Sequence, residues 1–108
     1  MLKRRILLAE DDEDDQHFFN GFLQSRNDII LMSIVENGVL LIDLLESITD
    51  SEELPDLIIL DQNMPKKNGL QTLQFLKEDK RYSHIPVIIY STYTDENLIK
   101  NGSELGAC

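Results

Sequence analysis

Four short apolar runs alternate with helical patterns along this chain, and the alternation leaves few folds open. Arg5 to Ala9, Ile29 to Val35, Asp56 to Asp61 and Pro86 to Ser91 are each dominated by aliphatic residues. Runs of this length predict strands buried on both faces, because a strand with one wet face would alternate apolar and polar residues. Between them, apolar residues recur at helical spacing. Phe18, Phe19, Phe22 and Leu23 mark one face; Leu40, Leu41, Leu44, Leu45 and Ile48 mark a second; Leu70, Leu73 and Leu76, with Phe75 at the margin, mark a third. Asn37-Gly38 breaks the second run and can cap the next helix. Asn68, three residues before Gln71, can form a capping box. Thr94 or Asp95 can cap a fourth helix carrying Leu98, Ile99 and Leu105. That helix is the weakest, since Gly102 inside it costs about 1 kcal/mol relative to alanine. Strand and helix in alternation imply an α/β fold, with a parallel sheet, right-handed crossovers and helices on both faces.

Charge narrows the function. The 108 residues hold 20 acids against 10 lysines and arginines, a net charge of −10. Binding to nucleic acid or an anionic membrane surface needs the opposite balance. A divalent cation or a partner with a basic face is favoured instead. The length fits one domain, 1–108. A single cysteine, Cys108, excludes a disulfide within the chain and suits a reducing compartment. After Lys3-Arg4-Arg5 the apolar run Ile6 to Ala9 is too short for a secretory signal, so a cytoplasmic location is expected. No apolar stretch approaches the roughly 20 residues that span a bilayer.

The strand ends carry the chemistry. Parallel strands finish on one side of a sheet. There the first would deliver Glu10 and Asp11, the third Asp61, and the fourth Ser91 and Thr92. If the first and third are neighbours, carboxylates converge in a shallow crevice and either one pKa rises or a cation binds. Oxygen ligands of this kind suit Mg²⁺. A carboxylate beside Mg²⁺ can also act as a nucleophile and form an acyl phosphate. Other readings fit less well. Asp11 to Phe22 fails as a calcium loop, with Gln16 in the glycine position and Phe22 in the glutamate position. No phosphate-cradling glycine motif occurs. His17 and His84 lack ligand partners at useful spacing and read as surface residues.

Taken together, Ile6-Leu-Leu-Ala-Glu10-Asp11, Leu60-Asp61-Gln-Asn-Met-Pro65 with Asn68-Gly69, and Ile85-Pro86-Val-Ile-Ile-Tyr-Ser91-Thr92 resemble the receiver domain of two-component response regulators, over essentially the whole chain. The resemblance implies a flavodoxin-like doubly wound sheet of strand order 2-1-3-4. It implies Asp61 as phosphoacceptor. Asp11 would be a direct Mg²⁺ ligand, Glu10 would act mostly through water, and Asn63 would offer its backbone carbonyl. Asp12 would be the less favoured ligand. Ser91 would be the switch hydroxyl, with Thr92 beside it. The phosphodonor would be a histidine kinase or a histidine phosphotransfer protein, and the readout a downstream protein target. Such a domain is a stoichiometric phosphoacceptor, assisting its own phosphorylation and dephosphorylation, and not a turnover enzyme.

The sequence departs from the pattern at its end. The family's fifth strand, with a lysine followed by proline, and its fifth helix would lie beyond Cys108. Truncation before that strand is therefore expected. Self-association through an exposed fourth strand is expected with it, and Phe18, Phe19 and Phe22 are either core packing or a patch left bare by the missing helix. Lys66, Lys67 and Lys100 do not match the lysine position. The alternative is a receiver-like interaction module that no longer signals by phosphorylation. A haloacid-dehalogenase type of phosphatase typically uses Asp-x-Asp, whereas Asn63 stands at the third position here.

Overall fold

The computed structural model describes residues 3–64 and 66–90. The order is β1 (Arg4–Ala9), α1 (Glu13–Gln24), β2 (Ile29–Val35), α2 (Gly38–Ser47), a 3-10 turn (Ser51–Glu53), β3 (Leu57–Asp61), α3 (Gly69–Glu78) and β4 (Val87–Tyr90). All pairings are parallel, and the sheet order is β2-β1-β3-β4. The expected α/β architecture and strand order are what the chain adopts. The expectations for Ser91, Thr92, the fourth helix and Cys108 lie outside the described residues.

Strand alternation sorts the core into two layers. Leu7, Ala9, Ile58, Leu60 and Val87 face α2 and α3, where they pack with Leu41, Leu45, Leu73, Leu76, Tyr82 and Ile85. Ile6, Leu8 and Ile59 face the other way, against Leu23 and the half-buried Phe19 of α1. The second layer is the thinner. Phe18 and Phe22 remain 67% and 56% exposed, stacked on each other with centroids 6.4 Å apart. The aromatic face of α1 is thus core only at Phe19 and Leu23. Replacing Phe18 with serine should change unfolding free energy by less than about 0.5 kcal/mol in a urea titration, as for an ordinary surface site.

Two details differ from the helical spacing. Ile48 lies past the end of α2, as an extended C-cap, and Leu40 is exposed. Only Leu41 and Leu45 are fully buried, because the start of α2 is pressed against the β3–α3 loop and this turns Leu40 outward. Tyr82 and Thr72 are buried although nothing in the spacing marks them.

The helix starts are locally encoded. Asp12 caps α1 by accepting from the Asp14 and Asp15 amides at 2.8 and 3.1 Å. Glu13 to Asp15 fill the first turn, where the helix dipole favours acids. At α3 the capping box forms as the spacing predicts. Asn68 Oδ1 accepts from Gln71 N–H and Gln71 Oε1 accepts from Asn68 N–H, both at 2.9 Å. Asn68→Ala should cost about 1 kcal/mol of stability, read as a lower denaturant midpoint at unchanged slope.

Candidate functional site

Register brings the acids together. Ala9 pairs with Leu60, so the next residue, Glu10, comes level with Asp61. Asp61 in turn pairs with Tyr90. The ladder continues one step past each strand, with Glu10 N–H donating to Val35 O at 2.8 Å and Gln62 N–H to Tyr90 O at 2.9 Å. Because Ala9, Leu60 and Ile89 pack toward α2 and α3, their successors Glu10, Asp61 and Tyr90 turn toward the α1 side. Three polar side chains therefore stand in a row at the carboxyl edge of the sheet, where open α/β folds place their sites.

Glu10 is fully buried, Asp61 is 6% exposed, and Asp11 is open to solvent. One carboxylate oxygen from each lies within 4.8 Å of the other two. Glu10 is held on both oxygens. Tyr90 donates its hydroxyl to Oε1, and the Asp12 amide donates to Oε2 at 3.0 Å. Gln16 Nε2 donates to the Glu10 carbonyl at 2.6 Å and so ties α1 to the strand end. Asp61 Oδ1 accepts from the Asn63 amide at 3.1 Å. Hard oxygen donors of this number and charge fit a small divalent cation.

Burial pushes both carboxyls up. Glu10 lies above the ordinary glutamate range chiefly through desolvation, which the Tyr90 and Asp12 hydrogen bonds oppose and the charge of Asp61 reinforces. Asp61 is likewise raised, first by desolvation, against the Asn63 amide, with Asp11 adding repulsion. A raised acid stabilises the fold fully below its ordinary value, and that contribution is lost as pH rises through the higher folded value. Asp28 and Asp79 run the other way, lowered mainly by hydrogen bonds from Arg26 and Arg81. Upward from their ordinary values of 4.5 and 3.8, the Glu10 and Asp61 contribution should therefore decay with pH in the absence of divalent cations. A thermal unfolding series from pH 4 to 7 should show this as a steeper fall for the unsubstituted chain than for Asp61→Asn.

The loop after Asp61 is braced by Gln62. Its Oε1 accepts from Leu70 N–H at 2.8 Å, and its carbonyl accepts from Gly69 and Met64 N–H at 3.4 and 3.2 Å. A side chain on Gly69 would lie 2.9 Å from the Asp61 carbonyl, so the helix start can approach the strand end this closely only without one. Lys66 takes a left-handed conformation with φ 65°, which costs about 1 kcal/mol for a residue with a Cβ. Lys67 does not turn to the carboxylates. Its Nζ sits 5.5 Å over the Phe75 ring, consistent with its exclusion from the lysine position. His17 and His84 are exposed, as expected. Asp12 serves as the cap of α1. Tyr90 and Gln62 escaped the sequence reading. The trace left by Tyr90 is a hydroxyl-bearing aromatic in an otherwise aliphatic run, level with the central acid.

Comparison with known proteins agrees with this geometry. The chain is 28% identical over 104 residues to the polar-differentiation response regulator DivK of Brucella anthropi, across 94% of this chain and 79% of that protein. It is 33% identical over 103 residues to a probable C4-dicarboxylate response regulator, DctR, of Bacillus subtilis, across 95% of this chain and 42% of that one. Among solved structures, the phosphorylated cyanobacterial phytochrome response regulator RcpA superposes with a TM-score of 0.83 at 28% identity, covering 97% of this chain and 76% of that chain. The Mn²⁺-bound form of response regulator Rcp1 superposes with a TM-score of 0.82 at 28% identity, covering 96% and 76%. Residues 6–108 match the response regulator receiver domain, and with its parallel sheet and acidic strand ends the chain belongs to that family.

Proposed function

We propose that this receiver accepts a phosphoryl group on Asp61 from the phosphohistidine of a histidine kinase or a histidine phosphotransfer protein, and that the added charge switches a surface read by a downstream protein. The observation that carries this reading is the buried Asp61 carboxyl set level with Glu10 and beside Asp11 at the sheet's carboxyl edge. In the transfer, an Asp61 oxygen bonds to phosphorus as the phosphorus–nitrogen bond of the donor breaks, and the imidazole leaves with the electron pair. Mg²⁺, held by Asp11, Asp61 and the Asn63 carbonyl, with Glu10 acting through water, would offset the charge that gathers on the phosphoryl oxygens. Two features support Glu10 in the indirect role: it is fully buried, and protein donors already engage both its oxygens. Relatives known in a phosphorylated and in a Mn²⁺-bound form add support.

Ser91 and Thr92 directly follow Tyr90 and would serve as the switch pair. The domain would be consumed one phosphoryl group at a time, so it is a phosphoacceptor and not an enzyme with turnover. No described helix is long and apolar enough to cross a membrane, and a cytoplasmic location follows from the proposed donor. The excess of acids argues against nucleic acid as the target. Among the described residues β4 pairs on one side only, with Ile88 38% exposed, so its free edge is where a second copy would add. Sedimentation should show a concentration-dependent dimer; a monomer at all concentrations would remove that part of the reading.

The test is incubation of the chain with Mg²⁺ and a small-molecule phosphodonor, followed by mass spectrometry. One phosphoryl group per chain, on the peptide containing Asp61 and dependent on the cation, is expected. No uptake under any cation would favour an interaction module that does not signal by phosphorylation.

A further inference from the structure

Tyr90 ends β4 in register with Asp61, and its ring lies at the edge of the α1 layer, tilted against Phe19 with centroids 5.2 Å apart. Its hydroxyl reaches Glu10, a residue 80 positions earlier and fully buried. Glu10 Oε2 is already fixed by the Asp12 amide at 3.0 Å, so the tyrosine supplies the second of two donors that together set the plane of the carboxylate. We propose that Tyr90 is a positioning residue for the cation site. It orients Glu10 so that the acid accepts from water bound to the cation. This rests on the cation reading given above and extends it to a residue outside the acidic set. The physical basis is general: a hydrogen bond on a ligand's far side fixes its orientation, and loss of such a partner lowers metal affinity by about tenfold or more. The tyrosine also ties this function to the end of β4, since its own carbonyl accepts from Gln62, the neighbour of Asp61.

The experiment uses Mn²⁺ as the probe, its free ion counted by electron paramagnetic resonance, on the full chain and on Tyr90→Phe, which keeps the ring and removes the hydroxyl. Tyr82→Phe, which alters a buried tyrosine in the turn before β4, is the control. Tyr90→Phe should bind Mn²⁺ about tenfold more weakly, while Tyr82→Phe binds within about twofold of the unsubstituted chain. In parallel, Mg²⁺ added to the unsubstituted chain carrying ¹³C-labelled tyrosine should shift the Tyr90 Cζ and Asp12 amide resonances together and leave Tyr82 in place, a readout that needs no variant to fold. Equal Mn²⁺ affinity in the two variants, or a Tyr90 resonance indifferent to Mg²⁺ that does move Asp12, would overturn the role of Tyr90 while leaving the cation site standing. An unsubstituted chain that binds no Mn²⁺ would overturn both.

Discussion

Asp61→Asn should abolish phosphoryl uptake and, without divalent cation, make the fold more stable. The two effects share one cause. Asp61 is buried beside an equally buried Glu10, and both carboxyls are raised above their ordinary ranges, chiefly by desolvation. Each sits in a place that resists its ionisation. Asparagine has nearly the same shape, and its Oδ1 can still accept from the Asn63 amide, but it carries no charge and is no nucleophile. A gain of about 1 kcal/mol is expected, the size found when an unfavourable charge is removed. For a domain of this length that is about 4 °C in Tm. Mg²⁺ should narrow or reverse the difference, because a ligand stabilises whichever chain binds it more tightly. Thermal unfolding of both chains, with and without Mg²⁺, reads this directly. A variant less stable than its parent in the absence of cation would mean that the carboxylate is a net structural asset and the site is not strained.

Gly38→Ala should cost about 3 kcal/mol, toward the upper end for overpacking. An added Cβ would lie 1.9 Å from Thr72 Oγ1 and 2.8 Å from the Lys67 carbonyl. Neither neighbour yields easily. Thr72 is fully buried and its hydroxyl donates to the Asn68 carbonyl at 2.7 Å, while the Lys67 carbonyl accepts from Gly38 N–H at 3.1 Å. The better helix propensity of alanine, worth up to about 1 kcal/mol, is too small to compensate. Combining Gly38→Ala with Thr72→Ala should recover only part of the loss, since the backbone carbonyl remains in the way. Urea denaturation of the two single variants and the double variant gives the coupling. A Gly38→Ala chain within about 1 kcal/mol of the parent would show that α2 and the β3–α3 loop are less tightly joined than the contact distances require.

The contact explains where the sequence ran out. Strand positions were readable because a doubly buried strand must be apolar throughout, and β1 to β4 fall within a residue or two of the four runs. The caps at Asn37 and Asn68 were readable because side chain and amide lie within three residues of each other. That Glu10, Asp11 and Asp61 would come together was readable because parallel strands end on one side, and their oxygens do converge. Contacts between elements left no local trace. Leu40 fits the helical stripe as well as Leu41 does, yet it faces solvent, because the orientation of α2 is fixed by Gly38 against a loop some thirty residues away. Tyr82 joins the core from a turn, where no periodicity operates. Tyr90 reaches Glu10 only because β3 stands between β1 and β4, a fact of sheet order and not of spacing.

The central claim is that Asp61, within a cation-binding set of carboxylates, is where the phosphoryl group arrives. Beryllofluoride, a stable mimic of that group, tests it most directly. In ¹⁵N-labelled chain, Mg²⁺ with beryllofluoride should shift the amides of Asp61 and Asn63 and of Asp12, whose N–H is bonded to Glu10, while the same additions leave Asp61→Asn unchanged beyond the effect of Mg²⁺ alone. Resonances around Asp61 that ignore beryllofluoride at saturating Mg²⁺ in the unsubstituted chain, or identical shifts in the variant, would contradict it.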